Sequence, residues 1–246
     1  MTNQKSKIIN FPELLKMIDN LPGNFWLRFI SSHPKDLSDD LIKVMARGQK
    51  ICPYLHLPVQ SGDDQILKSM NRHYTAAHYK TLIKKIRSKF ARIRKDICIS
   101  TDIIVGFPGE TKKQFNNTAN LMKRVNFDMA YIAEYSPRPG TAAAKLKDNV
   151  PHQEKERRRK LLTEILKKSA LKNNKKYLGK TVEVLIEESR IMNNESRMFF
   201  GKTKTYKNVK VHNSKFIIHN SDLVGQFVKV KITKAADFGL KGVSFK

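Results

Sequence analysis

Cysteine is nearly absent from this chain of 246 residues: there are two, Cys52 and Cys98, far apart in the sequence. No CxxC pair and no His/Cys cluster exists, which excludes a zinc finger or ribbon, and no metal site is expected. Each cysteine lies in or beside a strand-like run and is read as a small buried hydrophobe. Acidic residues are also scarce, 22 Asp and Glu against 48 Lys and Arg, a net charge of +26. A solvated lysine-rich surface is one account of that excess. A polyanionic partner is the other, because neutralising phosphates drives nucleic-acid binding. An anionic membrane is the weaker rival, since no apolar run is long enough to span a bilayer. Residues 1–9 lack the apolar core of a signal peptide, so a cytosolic location and no membrane partner are expected. Apolar residues make up 40%, enough for a packed core. The length suits one large domain, or a medium one with a small module.

What is present is an alternation of helix-period and strand-period segments. Phe11, Leu14, Leu15 and Ile18 share a helix face, and Pro22-Gly23 ends that helix. Residues 25–30 read as a strand ending at Ser31-Ser32-His33-Pro34, and 37–45 as a helix. Residues 54–59 are the next strand, followed by a short helix opened by Asp63 and Asp64. Thr75 N-caps an amphipathic helix with Tyr79, Leu82, Ile83, Ile86 and Phe90 inward. Residues 97–105 form a long strand, running into the tight turn Gly106-Phe107-Pro108-Gly109-Glu110. Thr111 and Gln114 then make a capping box, and 129–133 is a fourth strand. Strand–helix alternation of this kind builds a parallel sheet with covering helices, and ligands bind beyond the carboxyl ends of such strands. The turn at 106–110, the run His56-Leu57-Pro58-Val59-Gln60-Ser61-Gly62 and the loop Tyr135-Ser136-Pro137-Arg138-Pro139-Gly140-Thr141 all lie at such ends. Turn geometry alone also accounts for their glycines and prolines.

The character changes at Pro151. Residues 151–176 read as a helix with an apolar stripe and ten Lys or Arg against three Glu, either a solvated face or a basic connector between modules. From Tyr177 the period becomes two. Short strands at 181–186, 198–205, 209–211, 216–218 and 227–232, with Gly239 in a turn, predict a small OB-like barrel. Lys202, Lys204, Tyr206 and Lys207 interleave cations with an aromatic. That is either a nucleic-acid face or an ordinary exposed hairpin.

These motifs together resemble the methylthiotransferases of the radical S-adenosylmethionine superfamily, of the MiaB type that modifies a tRNA adenosine beside the anticodon. The resemblance rests on 56–62, on Asp102 through Thr111, on Asn126-Phe127-Asp128, and on Ser136 with Arg138-Pro139-Gly140-Thr141. The segment from Tyr177 resembles the family's RNA-binding TRAM module. The fold class it implies is α/β: a partial parallel (βα) barrel of the radical SAM type over 1–150, a basic connecting helix over 151–176, and a small all-β OB-like TRAM barrel over 177–246.

The resemblance further implies S-adenosylmethionine as cofactor, with Gln60, Ser61, Asp102, Gly106 and Arg138 on its cradle, and tRNA as partner. The tRNA face would hold Lys202, Lys204, Tyr206 and Lys207, with Arg158 and Arg159 on the preceding helix. The family also carries 4Fe-4S clusters, but two isolated cysteines cannot supply their thiolate sets. The chain therefore resembles the carboxyl-terminal portion of such an enzyme, from a truncated or split frame and inactive alone, with the missing amino-terminal half as a further partner. A basic RNA-binding fragment without chemistry is the alternative. Methylthiolation of a ribosomal protein or of threonylcarbamoyladenosine in tRNA are rivals within the family. The strand at 25–30 is expected to be a bare edge of an open barrel.

Overall fold

The computed structural model describes residues 8–30, 33–192, 196–213 and 223–244; Ser31 and Ser32, at the end of the expected first strand, lie outside them. Six α-helices and eight strands are described. α1 (Phe11–Asp19) starts at a reciprocal capping box between Asn10 and Glu13, and α2 (Asp39–Arg47) at Ser38. β1 (Tyr54–His56), α3 (Asp64–Ser69), α4 (Ala76–Ala91), β2 (Cys98–Val105), α5 (Lys112–Val125) and β3 (Met129–Glu134) then alternate. Thr75 caps α4, and Thr111 and Gln114 form the expected box on α5.

β1, β2 and β3 make a parallel sheet in that order, with His56 beside Ser100 and Asp102 beside Tyr131. The pleat sorts side chains by parity. Leu55, Leu57, Val59, Ile99, Ile103 and Val105 are buried in the main core, which also takes Tyr79, Ile83 and Phe90 of α4 and Phe115, Met122 and Val125 of α5. Tyr54, His56, Asp102 and Tyr131 lie on the opposite parity, and Tyr131 is exposed. The helices thus cover one face, and the other is the polar inner wall of a half-barrel.

One expectation needs correction. Residues 25–30 are not a strand but an extended segment with one parallel bridge, Leu27 to Ile51. Its bonded side faces residues 50–52, and among the described residues no backbone hydrogen bond is made by Trp26 or Arg28 on the other side. Leu27 N–H donates to Lys50 O and Cys52 N–H to Leu27 O, while Trp26 packs on Phe227 with ring centroids 4.8 Å apart. α6 (His152–Lys175) turns its expected apolar stripe inward: it lies along β3 and α5, and Leu162 and Leu166 enter the main core.

β4 (Thr181–Met192), β5 (Ser196–Thr203), β6 (Asn208–Asn213), β7 (Phe227–Ala236) and β8 (Gly239–Ser244) close a barrel in the order β4-β5-β6-β8-β7. Val184, Ile186, Phe199, Val209, Val211, Val230, Ile232 and Leu240 fill it. The strand expected at 216–218 lies outside the described residues. Gly239, expected in a turn, instead opens β8. Gly242 is there for closeness: a Cβ would lie 2.5 Å from Val230 Cγ1 and 2.6 Å from Lys231 O.

Candidate functional site

At the carboxyl end of β2 the chain turns sharply at Gly106, whose φ of +69° suits glycine. Its N–H donates to Glu110 Oε2 at 2.7 Å, and the same oxygen takes Arg158 Nη1 of α6 at 2.7 Å. Glu110 and Arg158 are both buried, and burial pushes the Glu110 carboxyl above the usual range against the pull of both donors. Arg158 also grips Glu154 and lies over the Phe115 ring, so its guanidinium closes the turn and does not face solvent. A Cβ on Gly106 would meet Lys155 Cγ at 2.4 Å. The Lys155 stem therefore fills the space beside Gly106, and its ammonium bonds Asp148 at 2.6 Å and Tyr135 O at 3.2 Å.

The neighbouring strand end is equally built in. Ser61 is fully buried, its Oγ 3.2 Å from Thr118 Oγ1 of α5 and accepting from Asp63 N–H. Gly62 lets this loop touch α5, since a Cβ there would meet Thr118 Cα at 2.6 Å. Gln60 has φ +66° and bonds Asp102 O and Ile104 N–H through its backbone. Its side chain has no hydrogen bond among the described residues. Arg138 is exposed in the 136–141 loop, where its carbonyl accepts from Thr141. Ser61 and Gly106 thus serve loop packing. Gln60 is buried, Asp102 is half-buried on the inner wall and Arg138 is exposed.

The inner wall carries a hydrogen-bonded row that the sequence reading left out, apart from Asp102. Tyr54 OH and His56 Nδ1 both meet Ser100 Oγ, at 2.7 and 2.8 Å, and His56 Nε2 lies 3.3 Å from Asp102 Oδ2. Tyr131 stands edge-on to His56 at 6.0 Å. The period-two pattern of β1 and the parallel register were signals for this row.

The 202–207 segment is turned toward that wall. Lys207 is buried and its ammonium bonds Asp128 Oδ1 at 2.7 Å, while Asp128 Oδ2 accepts Ile99 N–H. Lys204 Nζ donates to Gln49 O. Tyr206, at φ +69°, packs tilted against Tyr54 with ring centroids 4.7 Å apart and takes the Arg28 guanidinium at 3.9 Å over its ring. Lys202 pairs with Glu187 at 2.7 Å. A cavity of ≈230 Å³ remains between barrel and sheet, lined in part by Tyr54, Tyr131, Asp128 and Tyr206. Asn126-Phe127-Asp128 belongs to the same joint: Asn126 ends α5 left-handed and exchanges hydrogen bonds with Asn173, and Phe127 is fully buried. Arg159 is half-exposed and pairs with Glu134 at 2.8 Å.

Both cysteines are buried. Burial pushes the Cys98 thiol up to about 12, with Asp128 adding to the effect, and raises that of Cys52. Neither is a ready thiolate ligand. No cluster of three or more His, Cys, Asp or Glu that would hold a metal occurs among the described residues. The residues present therefore do not fit an iron–sulfur cluster.

Comparison with known proteins follows this division of the chain. Residues 7–122 match the model of the radical SAM superfamily, and 175–244 that of the TRAM domain. A tRNA-2-methylthio-N(6)-dimethylallyladenosine synthase of Clostridium botulinum strain Langeland is 44% identical over 234 residues, 95% of this chain and 49% of the relative. The synthase of Carboxydothermus hydrogenoformans is 45% identical over 233 residues, again 95% of this chain and 50% of the relative. The chain belongs to the MiaB-type methylthiotransferase family. It spans about half the length of the curated relatives it matches. Among solved structures, coproporphyrinogen III oxidase from Escherichia coli, titled a radical SAM enzyme, overlaps 71% of this chain and 45% of its own at TM-score 0.47 and 16% identity. Among the described residues, no helix of this family member is long and apolar enough to cross a membrane.

Proposed function

We propose that the chain provides the RNA-holding and cofactor-facing portion of a tRNA methylthiotransferase that acts on a prenylated adenosine beside the anticodon. The 44% identity along 95% of the chain to a synthase of that name carries this reading. Family enzymes use S-adenosylmethionine and iron–sulfur clusters, and bound S-adenosylmethionine supplies the radical chemistry. Here Gln60 and Asp102 would face that cofactor from the inner wall, and Arg138 offers a guanidinium to a carboxylate or phosphate. The charge of +26 supports a tRNA partner, and a cytosolic location follows from it. In this reading residues 1–150 form the half-barrel, 151–176 the joining helix, and 177–246 the RNA module. Alone, the chain lacks the thiolates for radical generation and has no methylthiolating activity. A tRNA whose anticodon adenosine is prenylated, titrated with the 246-residue chain, tests the partner. Binding that weakens steeply with salt is expected; no binding at low salt would sink the proposal.

A further inference from the structure

The barrel carries a row of residues paired across all five strands. Glu188 on β4 is the cross-strand partner of Phe200 on β5, and Phe200 of Lys210 on β6. Lys210 in turn pairs with Lys241 on β8, and Lys241 with Lys234 on β7. Their neighbours Phe199, Val209, Val211 and Leu240 fill the barrel, so the row faces outward. Three lysines stand side by side in it, and like charges directly opposite one another destabilise a sheet. Lysines are often explained as guards of a sheet edge, but this barrel is closed and has none to guard.

Among the described residues none of these three lysines makes an ion pair. The nearby acids are engaged elsewhere: Glu187 with Lys202 and Glu188 with Arg190. Phe200 is only half-buried despite facing outward, with Lys210 Nζ 5.8 Å and the Arg190 guanidinium 5.0 Å from its ring centroid. A groove of ≈480 Å³ runs along the row, lined by Phe200, Lys202, Asn208, Lys210 and Lys241 together with the two glutamates. β5 and β6 are the second and third strands of the barrel, the face with which OB-type barrels bind oligonucleotides.

We propose that this outer face of β5, β6 and β8 is a binding site for single-stranded RNA, with one unstacked base on Phe200 and the backbone phosphates along Lys210, Lys241 and Lys234. The inference rests on the tRNA reading and places the RNA on the outward strands beside the 203–207 turn, whose Lys204, Tyr206 and Lys207 are engaged by the half-barrel. Phosphates would relieve the repulsion that the row otherwise carries, and an aromatic platform accepts any base. The requirement for an unstacked base selects a loop over a duplex stem.

The test uses the full chain with a labelled single-stranded RNA of about 10 nucleotides, a duplex of the same sequence, and tRNA. Lys210→Gln, Lys234→Gln and Lys241→Gln together should lower the slope of log K against log salt by about 2 for the single strand. Phe200→Leu should weaken single-strand binding roughly tenfold with the slope unchanged, and Phe200→Tyr should restore it. Duplex affinity should not respond to Phe200. Surface changes of this kind leave the thermal melt as a check that the variants fold. Wild-type affinity and slope in all variants, with RNA still bound, would overturn this site and leave the tRNA reading standing. Failure of the unmodified chain to bind any of the three RNAs would overturn both.

Discussion

Gly106 and Glu154 show how single residues hold the candidate site. Any side chain at Gly106 meets the Lys155 stem at 2.4 Å, in a backbone conformation of φ +69°. Gly106→Ala should therefore destabilise the chain by about 1–3 kcal/mol, read from urea denaturation. The Glu154 carboxyl is held down to about 2 from an ordinary 4.5, chiefly by its hydrogen bond from Arg157 and then by Arg158. A depressed carboxylate contributes stability that is present above its unfolded value and lost as pH falls toward the folded one. Stability should thus decline between pH 4.5 and 2, and Glu154→Gln should flatten that decline in denaturation curves taken at each pH. Sequence alone located Gln60, Ser61 and Gly106 at strand ends and Asp102 deeper on its strand. It did not show that Ser61 and Gly106 are used up by Thr118 and Lys155, because those partners are distant in the chain.

At the scale of elements, the caps and periodic faces of α1, α4 and α5 were legible because local chemistry sets them. In two other elements packing adds what the local pattern leaves open. α6 looks solvated because it is rich in lysine and arginine, yet Lys155 and Arg158 are buried by ion pairs with Asp148 and Glu110. The 202–207 turn looks like an RNA face because cations flank an aromatic, yet Arg28, Tyr54 and Asp128 claim Tyr206 and Lys207. Charge and aromaticity suit a protein interface as well as a phosphate one. The Lys207–Asp128 pair, about nine-tenths buried on both sides, is the ionic clasp of this joint. Asp128→Ala leaves the ammonium uncompensated and should cost about 3–5 kcal/mol by equilibrium unfolding. Lys207→Met with Asp128→Leu together should cost less than the sum of the single changes.

Across the whole molecule, the barrel and the half-barrel are joined by Trp26 on Phe227, Arg28 on Tyr206, Lys207 on Asp128, and Asn174 on the carbonyls of Ala236 and Asp237. Such a joint couples the two parts. Thermal unfolding should be a single transition, and the Asp128→Ala variant should resolve it into two, checked by calorimetry. The joint also covers the 25–30 segment in part, through the side chains of Trp26 and Arg28. In the proposed function this chain holds tRNA and one wall of the reaction chamber but not the radical generator. Anaerobic reconstitution with iron, sulfide and reductant, followed by S-adenosylmethionine and prenylated tRNA, tests it by iron content and nucleoside mass spectrometry. The account predicts no stoichiometric four-iron cluster and no methylthio nucleoside; a full cluster with methylthiolated adenosine would contradict it.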